Sequence, residues 1–234
     1  LDYATNSDTA TVGTDITAGT DPLTGTLNFG IGVTTQTITL NITDDVVYEG
    51  PESFNIDLTN PTGGALIGDA QGVGTILDDG TGDPNGNPPT NDTPTVASVS
   101  SPSVAEDGNL DYVDTLSNES TTPTTVTLTP SNGTDKLGTD TTTPVEVSFD
   151  GGTTFTTVVG GTVDVPAGET SFITRIPTVD DAIGETNETI LLDANTTGQA
   201  PVTGTGTIVD NDTVNIIIDD VTRNEVAGTI TFTV

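Results

Sequence analysis

The residues of this sequence that could do chemistry are carboxylates that recur at fixed spacing. The stretch ITDDVVYEGPESFNIDL, from Ile42 to Leu58, places two adjacent aspartates and two glutamates within nine residues. The stretch TVDDAIGETNETILLDA has the same order, with one glutamate four residues after the second aspartate and another three residues later. These acids are Asp44, Asp45, Glu49 and Glu52 in the first copy and Asp180, Asp181, Glu185 and Glu188 in the second.

Further acids occupy matching places around these two loops. A GTD turn precedes each loop, the endings GTILDDG and GTGTIVDND follow, and a glutamate lies between the first two predicted strands. Because alternate loops of a β-sandwich lie at the same end, we expect these acids to converge. They are Asp15 and Asp140 in the turns, Asp78, Asp79, Asp210 and Asp212 in the endings, and Glu106, with Glu225 in a third, partial copy.

Converging carboxylates raise each other's pKa unless a cation offsets the repulsion. The chain has 35 acidic and three basic residues, a formal net charge of -32, and neither histidine nor cysteine, which excludes sites for soft metals. Carboxylate and carbonyl oxygens suit Ca²⁺, which takes six to eight such ligands, better than Mg²⁺, which retains its waters. The alternative is that the acids solvate loops, and this fits the acids outside the shared pattern: Asp83, Asp92, Asp111, Asp114, Glu119, Asp150 and Asp164.

The elements that position these acids are predicted to be strands. Apolar residues alternate with polar ones in TGTLNFG, TQTITLNIT and AGTITFTV, as in half-buried strands, whereas no helical periodicity is sustained. Without cysteine, disulfides cannot stabilise the fold. The few basic residues argue against nucleic acid as a partner, and the lack of an 18-residue apolar stretch argues against membrane insertion. The start, LDYATNSD, suggests an excerpt from a longer chain.

Internal repetition predicts the domain organisation. The passage from Gly25 aligns without a gap to the passage from Gly161, and residues after Asp212 parallel those that open the second copy. We predict tandem Ig-like antiparallel β-sandwich modules of roughly 120 residues and about seven strands each. Residues 1–80 form a module that lacks its first two strands and leaves apolar residues such as Phe29 and Leu40 partly uncovered. Residues 81–94 form a Gly/Pro/Asn linker, 95–212 a complete module, and 213–234 the first two strands of another.

Four motifs, LDYAT, VGTD, ITDDVVYEGPESF and GTILDD, give the sequence a resemblance to the Calx-β family of calcium-binding sandwiches. It covers nearly all of residues 1–80 and the second half of 95–212. The resemblance implies that Ca²⁺ is bound by Asp15, Asp44, Asp45, Glu49, Glu52, Asp78 and Asp79 in the first module, and by Glu106, Asp140, Asp180, Asp181, Glu185, Glu188, Asp210 and Asp212 in the second. About eleven extra residues around VEVSFDGGTTFTTVV depart from the family pattern.

Several functions are compatible with such modules, and catalysis is not predicted to be one of them. No nucleophile–base pair is apparent, and three Tyr, six Phe and no Trp do not build a sugar cleft around a carboxylate pair. The leading hypothesis is an extracellular spacer, stiffened by Ca²⁺ at its junctions, in a bacterial surface or biofilm adhesin of the RTX type. The alternative is a secreted filament subunit whose neighbouring copies complete its modules with strands; a calcium sensor is a weaker third hypothesis.

Overall fold

The computed structural model describes residues 1–77, 92–134, 137–142, 144–213 and 216–234. Predicted ligands Asp78 and Asp79, and most of the predicted linker, lie outside these ranges. The described residues contain sixteen strands. Six of them lie in residues 1–77, the first unit: β1 Asp2–Ser7, β2 Ile16–Ala18, β3 Thr24–Thr26, β4 Leu40–Ile42, β5 Glu52–Thr59 and β6 Gln71–Ile76.

The other ten strands lie in residues 92–213, the second unit, and form two five-stranded sheets. One sheet has the order β13-β10-β15-β16-β8 and the other β12-β11-β14-β9-β7, with every pair antiparallel except β16 with β8. The strands are β7 Val96–Val99, β8 Ser103–Ala105, β9 Asn109–Leu116, β10 Thr124–Asn132, β11 Glu146–Ser148, β12 Thr156–Thr157, β13 Thr162–Val165, β14 Ser171–Pro177, β15 Glu188–Asn195 and β16 Val202–Val209. The predicted all-β fold of antiparallel sheets is confirmed.

The core of the second unit lies between its two sheets. Alternate residues of β9, β14, β15 and β16 are buried, as the period-two pattern predicts. Tyr112 is fully buried, and its hydroxyl donates to the Ile190 carbonyl at 2.9 Å. Gly204 and Gly206 make room for this packing, because a Cβ on Gly206 would lie 2.3 Å from the Tyr112 hydroxyl oxygen. Position 206 therefore requires glycine, because the Tyr112 side chain approaches its Cα too closely for a Cβ.

The prediction of about seven strands is too low for the second unit. The first predicted strand is divided, because β7 pairs with β9 whereas β8 crosses to the other sheet and pairs with β16. Pro102, which has no backbone N–H, lies between β7 and β8, where the chain changes sheets. The extra residues around VEVSFDGGTTFTTVV form β11 and β12 and the turn between them.

The first unit repeats part of this topology. Its sheets have the orders β3-β1-β5-β6 and β2-β4. The order of the larger sheet matches β13-β10-β15-β16 of the second unit, so β6 corresponds to β16, and the aligned sequences make β4 the counterpart of the end of β14. Among the described residues of the first unit, no strand corresponds to β7, β8 or β9. The division into modules at the predicted boundaries stays a prediction.

Burial in the first unit is shallow. Tyr3, Ala10 and Ile16 are buried, whereas all but the last residue of β5 are only half-buried, and most of β6 is exposed. The apolar side chain of Phe29 is 47% exposed and that of Leu40 is half-buried. The sixteen-residue apolar core among the described residues belongs entirely to the second unit.

Residues 216–234, the 216–234 segment, contain one 3-10 turn, Glu225–Ala227. Asn224 caps this turn by accepting from the Val226 N–H, and Gly228 follows in the left-handed region. The backbone N–H of Asp219 donates to the Thr233 carbonyl, which brings the two arms of the segment together. No helix among the described residues is long and apolar enough to cross a bilayer.

One acid that the sequence analysis placed on the solvated surface is buried. Asp114 is fully buried on β9 and accepts a hydrogen bond from the Thr174 hydroxyl at 2.6 Å. The alternation of β9 explains this, because Leu110, Tyr112, Asp114 and Leu116 all face the core. The interpretation of Asp114 as a surface acid is therefore wrong, and the period-two pattern is the signal that could have corrected it.

Candidate metal centre

Three carboxylates meet where β8 and β16 end. One oxygen each of Glu106, Asp210 and Asp212 lies within 4.8 Å of the others. Glu106 directly follows β8, and the two aspartates follow β16. Because β8 and β16 run parallel, their carboxyl ends meet at the same edge, and the Glu106 N–H donates to the Val209 carbonyl at 3.3 Å. The predicted convergence of the first turn and the terminal motif is thus observed.

The electrostatics of this cluster favour a bound cation. Burial raises the pKa of Glu106, and the charges of Asp210, Asp212, Asp181 and Asp180 raise it further. Burial, then Asp180, Asp210 and Asp181, raise the pKa of Asp212 in the same way. Glu106 Oε2 and Asp212 Oδ2 are buried without a hydrogen-bond partner. Carboxylate oxygens in this state have lost water and gained no donor, so a cation is the group that would satisfy them.

A second cluster lies on the GTD turn and the acidic loop of the second unit. Oxygens of Asp140, Glu185 and Glu188 lie within 4.8 Å of one another. The turn is held to the strand end before the loop, because the Asp140 carbonyl accepts from the Val179 N–H at 2.8 Å. Burial, followed by the charges of Asp140, Asp181 and Asp210, raises the pKa of Glu185.

The two clusters of the second unit adjoin each other. The Glu185 N–H donates to Asp210 Oδ2 at 2.6 Å, so a residue of each cluster is in direct contact. Asp181 raises the pKa of Glu106 in one cluster and of Glu185 in the other. Asp180 and Asp181 are exposed and stand outside both groups of three, and the Ile183 N–H donates to Asp181 Oδ1. The two groups of three carboxylates are therefore neighbours, and the charge of Asp181 acts on both.

The first unit carries an equivalent cluster. Oxygens of Asp15, Glu49 and Glu52 lie within 4.8 Å of one another. The Thr43 N–H donates to the Asp15 carbonyl at 2.9 Å, which matches the contact between Val179 and Asp140. The same local fold thus positions the turn and the loop in both units.

Five predicted ligands among the described residues are not brought into these groups: Asp44, Asp45, Asp180, Asp181 and Glu225. Asp44 and Asp45 are exposed, and Asp45 Oδ1 accepts from the Val47 N–H at 2.8 Å, as its counterpart Asp181 does from Ile183. Glu225 is exposed in the 3-10 turn. Asp78 and Asp79, as noted, are outside the described residues. The ligand role of every predicted residue stays a prediction.

The donor set determines which ion fits. All nine residues of the three groups offer carboxylate oxygens. Hard oxygen donors of this number and charge suit Ca²⁺, and none of the nitrogen or sulfur ligands that zinc prefers is available. The residues present therefore fit Ca²⁺.

The sequence analysis did not anticipate the contact between the two units. The Tyr48 N–H donates to the Glu119 carbonyl at 2.9 Å, and the Thr121 N–H donates to the Tyr48 carbonyl at 2.8 Å, so residue 48 pairs with residue 120 as in a parallel bridge. Tyr48 precedes Glu49 of the first cluster. Backbone groups make the shortest hydrogen bonds of this contact, and the Thr121 hydroxyl adds longer ones to the Tyr48 and Glu49 carbonyls, so no distinctive side-chain pattern marks it in a threonine-rich sequence.

Comparison with protein families supports the resemblance in the first unit. Residues 1–80 match the family model described as the Calx-beta domain, which is 80 of 234 residues. The predicted Calx-β resemblance is confirmed for this part of the chain. The resemblance of the second unit and the bacterial adhesin context stay predictions. A comparison with curated proteins finds no match.

Solved structures with similar folds include three calcium-binding-domain chains. A structure titled CBD12 from CALX1.2 is 20% identical, with a TM-score of 0.38, over 49% of this chain and 45% of its own length. An apo-form Calx CBD1 domain is 20% identical, with a TM-score of 0.38, over 49% of this chain and 96% of that domain. The calcium binding domain CBD12 of CALX1.1 is 22% identical, with a TM-score of 0.36, over 47% and 42%. At these values the likeness supports no functional assignment.

Proposed function

We propose that this protein is a non-catalytic calcium-binding repeat that acts as an extracellular spacer in a bacterial surface fibre or adhesin. The observation that carries this proposal is the pair of adjoining carboxylate groups in the second unit, with Glu106 Oε2 and Asp212 Oδ2 buried and lacking donors. Six acids gathered at one end of a sandwich repel each other in the absence of cations. Binding of Ca²⁺ removes this repulsion and couples the loops to the strand ends.

Calcium at the first cluster would stiffen the junction between the units. Glu49 directly follows Tyr48, whose backbone pairs with Glu119 and Thr121 of the second unit. An ion held by Asp15, Glu49 and Glu52 fixes the loop that makes this contact, and local opening becomes less frequent when a ligand binds only the closed form. A row of such junctions gives a rigid spacer, and the high net negative charge of the chain keeps it soluble.

Calorimetric titration of the chelator-treated chain with Ca²⁺ tests the calcium-binding part of this function. We expect Asp181→Asn and Glu185→Gln to weaken binding at the second unit, because Asp181 carries a negative charge that acts on both adjoining groups and Glu185 is a member of one group in contact with the other. Asp164→Asn is the matched control, since Asp164 is exposed on β13 and its carboxylate accepts from the Thr125 hydroxyl. Equal affinities in all three variants would contradict the site assignment, and an absence of heat with the unmodified chain would contradict calcium binding altogether.

A self-assembling secreted filament subunit is the second candidate function. The outer edge of β6 favours it, because β6 is the last strand of its sheet in the described residues whereas its counterpart β16 is covered by β8. Unpaired edges pair readily with strands of other chains. Neighbouring copies of this chain are the partners in either function.

A further inference from the structure

The turn that carries Glu106 crosses from one sheet of the second unit to the other. Residues 106–108, the crossing turn, follow β8, which pairs with β16, and precede β9, which pairs with β14. On the β16 side, the Glu106 N–H donates to the Val209 carbonyl at 3.3 Å. The position of the Glu106 carboxylate beside Asp210 and Asp212 therefore depends on what holds the turn on the β14 side.

Thr178 holds the crossing turn on the β14 side. It directly follows β14, and three hydrogen bonds join it to Gly108. The Gly108 N–H donates to Thr178 Oγ1 at 2.9 Å, the Thr178 N–H donates to the Gly108 carbonyl at 3.0 Å, and the Thr178 hydroxyl donates to the same carbonyl at 3.2 Å. Because Thr178 is only 7% exposed, these hydrogen bonds lie in a region of low dielectric, where they are stronger than in water.

The crossing turn has a backbone conformation that it would not keep by local preference. Asp107 has a φ of 60°, in the left-handed region, which residues other than glycine rarely adopt. Gly108 packs so closely on β8 that a Cβ there would lie 2.3 Å from a methyl carbon of Val104 and 2.9 Å from the Ala105 carbonyl oxygen. A turn of this kind persists when its surroundings fix it, and Thr178 provides such a contact.

The pairing of the strand end itself does not need a hydroxyl at position 178. Thr178 pairs with Thr141, next to the GTD turn, as an antiparallel bridge. In the first unit the aligned positions are Ile42 and Ile16, which form the same antiparallel pair without hydroxyl groups. The Thr141 hydroxyl accepts from the Gly138 N–H close by in sequence, whereas the Thr178 hydroxyl bonds to the crossing turn. The Thr178 side chain thus serves the crossing turn rather than the pairing of the strand end.

The same strand end also supports the second cluster, but through its backbone. The Thr142 N–H donates to the Pro177 carbonyl at 3.0 Å, and the Val179 N–H donates to the Asp140 carbonyl at 2.8 Å. Loss of the Thr178 hydroxyl alone would free the crossing turn and leave these backbone contacts in place. The effects on the two groups of carboxylates are therefore separable by substitution.

We propose that Thr178 is the positioning residue for Glu106 in the metal centre of the second unit. Its hydroxyl fixes the crossing turn to β14, so that Glu106 Oε2, which is buried without a hydrogen-bond partner among the described residues, stays beside Asp210 and Asp212 before a cation arrives. A ligand that is already in place loses less conformational freedom on binding, which raises the affinity. The effect on affinity rests on the proposed calcium-binding function, whereas the placement of the turn does not.

Calorimetric titration of Thr178→Val with Ca²⁺, after treatment with chelator, tests this role. All chains in the titration also carry Glu49→Gln and Glu52→Gln, which remove two of the three carboxylates of the first cluster. Valine keeps the branched shape of threonine, but the Gly108 N–H loses its side-chain acceptor. We expect the affinity for Ca²⁺ to fall about two- to tenfold, as the loss of one hydrogen bond implies.

Thr178→Ser is the conservative variant, because it keeps the hydroxyl. We expect it to retain the affinity of the chain with Thr178. An unchanged affinity in Thr178→Val, or an equal loss in Thr178→Ser, would overturn the positioning role.

Ile176→Val controls for a general loss of stability. Ile176 is 1% exposed, belongs to the core and lies on β14 two residues before Thr178. Loss of one carbon atom there should lower the melting temperature in chelator and leave the affinity for Ca²⁺ unchanged. If Ile176→Val and Thr178→Val weakened calcium binding equally, destabilisation would account for both results and the positioning role would be overturned.

A double-mutant cycle identifies the carboxylate through which Thr178 acts. Thr178→Val is combined with Glu106→Gln, in the group that it supports, or with Glu188→Gln, in the adjoining group. We expect the effect of Thr178→Val on affinity to disappear in the Glu106→Gln chain and to persist in the Glu188→Gln chain, because residues that act together are not additive. The opposite pattern, or an undiminished effect in both chains, would overturn the assignment to Glu106.

Hydrogen exchange in chelator tests the placement of the crossing turn without calcium. The Glu106 N–H bonds to Val209 on β16, and Thr178→Val leaves this acceptor in place. We expect the Glu106 amide to exchange about two- to tenfold faster in Thr178→Val than in the unmodified chain, relative to amides within β15. An unchanged rate would overturn the positioning role even where titration detects calcium. No calcium binding by the unmodified chain would overturn the calcium function, and the exchange rates would still decide whether Thr178 holds the turn.

Discussion

Three aspartates of the second unit, outside the metal clusters, have different partners for their carboxylates. Arg175 and Asp111 form a paired contact on the outer face of the sheet, with N–O distances of 2.7 Å for both hydrogen bonds. Asp150 organises a turn by accepting from the N–H groups of Thr153 and Thr154, and these hydrogen bonds, led by that of the Thr154 hydroxyl, lower its pKa. Asp114 lies in the core, where the Thr174 hydroxyl is its hydrogen-bond partner, and burial has a larger effect on its pKa than this hydrogen bond.

The stability of the chain should depend on the protonation of Asp114. Burial raises the pKa of Asp114 to about 7, although the Thr174 hydroxyl lowers it, against an ordinary value of 3.8. The unfolded state loses this proton at lower pH than the folded state does. Stability therefore falls as the pH rises from about 4 to about 7, and then levels off. Asp114→Asn should remove a change on the order of 4 kcal/mol from this pH profile.

Denaturant unfolding in chelator between pH 4 and pH 8 measures this profile with the metal contribution absent. The difference between the unmodified chain and Asp114→Asn should vary through the window and be constant above it. Thr174→Val provides a directional check, because loss of the hydroxyl raises the pKa of Asp114 further and moves the end of the window to higher pH. Parallel profiles for the unmodified chain and Asp114→Asn would contradict the assignment.

Glycine at Gly206 is required by close packing. An added methyl group would lie 2.3 Å from the Tyr112 hydroxyl oxygen and 2.9 Å from a Leu110 methyl carbon, both in the core. We expect Gly206→Ala to lower the free energy of unfolding by about 1–3 kcal/mol, as overpacking does. Gly72→Ala is the control at another β-strand glycine, where an added Cβ would meet nothing within 4 Å. Thermal melting compares the two, and equal melting temperatures would show that β16 can move to accept the methyl group.

The loop that carries Tyr48 contacts the second unit through its backbone. The amides of Tyr48 and Thr121 make the backbone contacts of the junction. Because the first cluster lies on the same loop, Ca²⁺ should slow hydrogen exchange of both amides relative to chelator, and Glu49→Gln should reduce this protection. Amides within β15, which pair inside the core of the second unit, serve as the internal reference. Unchanged exchange of Tyr48 and Thr121 on addition of Ca²⁺ would contradict a calcium-stiffened junction.

The strands themselves were predictable where alternation is regular. TGTLNFG and TQTITLNIT show period two, yet only short parts of them, β3 and β4, pair as strands in the first unit. The physical reason is that a strand needs a partner for its hydrogen bonds, and the β9-like neighbour of β4 is absent from the described first unit. The division of the opening strand into β7 and β8 was not predictable. The two parts pair in different sheets, and only tertiary packing determines which strands form each sheet.

Removal of calcium should affect the whole molecule. A ligand that binds only the folded state adds about 2.7 kcal/mol at a hundredfold excess over its dissociation constant, and the net charge of -32 adds repulsion when the cations leave. We expect the melting temperature to fall in excess chelator and to recover when Ca²⁺ is added back. Addition of NaCl at matched ionic strength distinguishes specific binding from screening. An unchanged melting curve after verified removal of metal would contradict the metal centre.

The sequence by itself determined the all-β class, the repeat and the types of residue in the acidic loops, because alternation and spacing are local properties of the chain. It indicated that Glu106 and Asp210 would converge, since the loops of a sandwich share an end. Tertiary structure decided which acids form groups of three, that Asp114 faces the core, and that Tyr48 contacts the second unit. These depend on how the strands pair across sheets, and on burial, which is set by residues far apart in sequence.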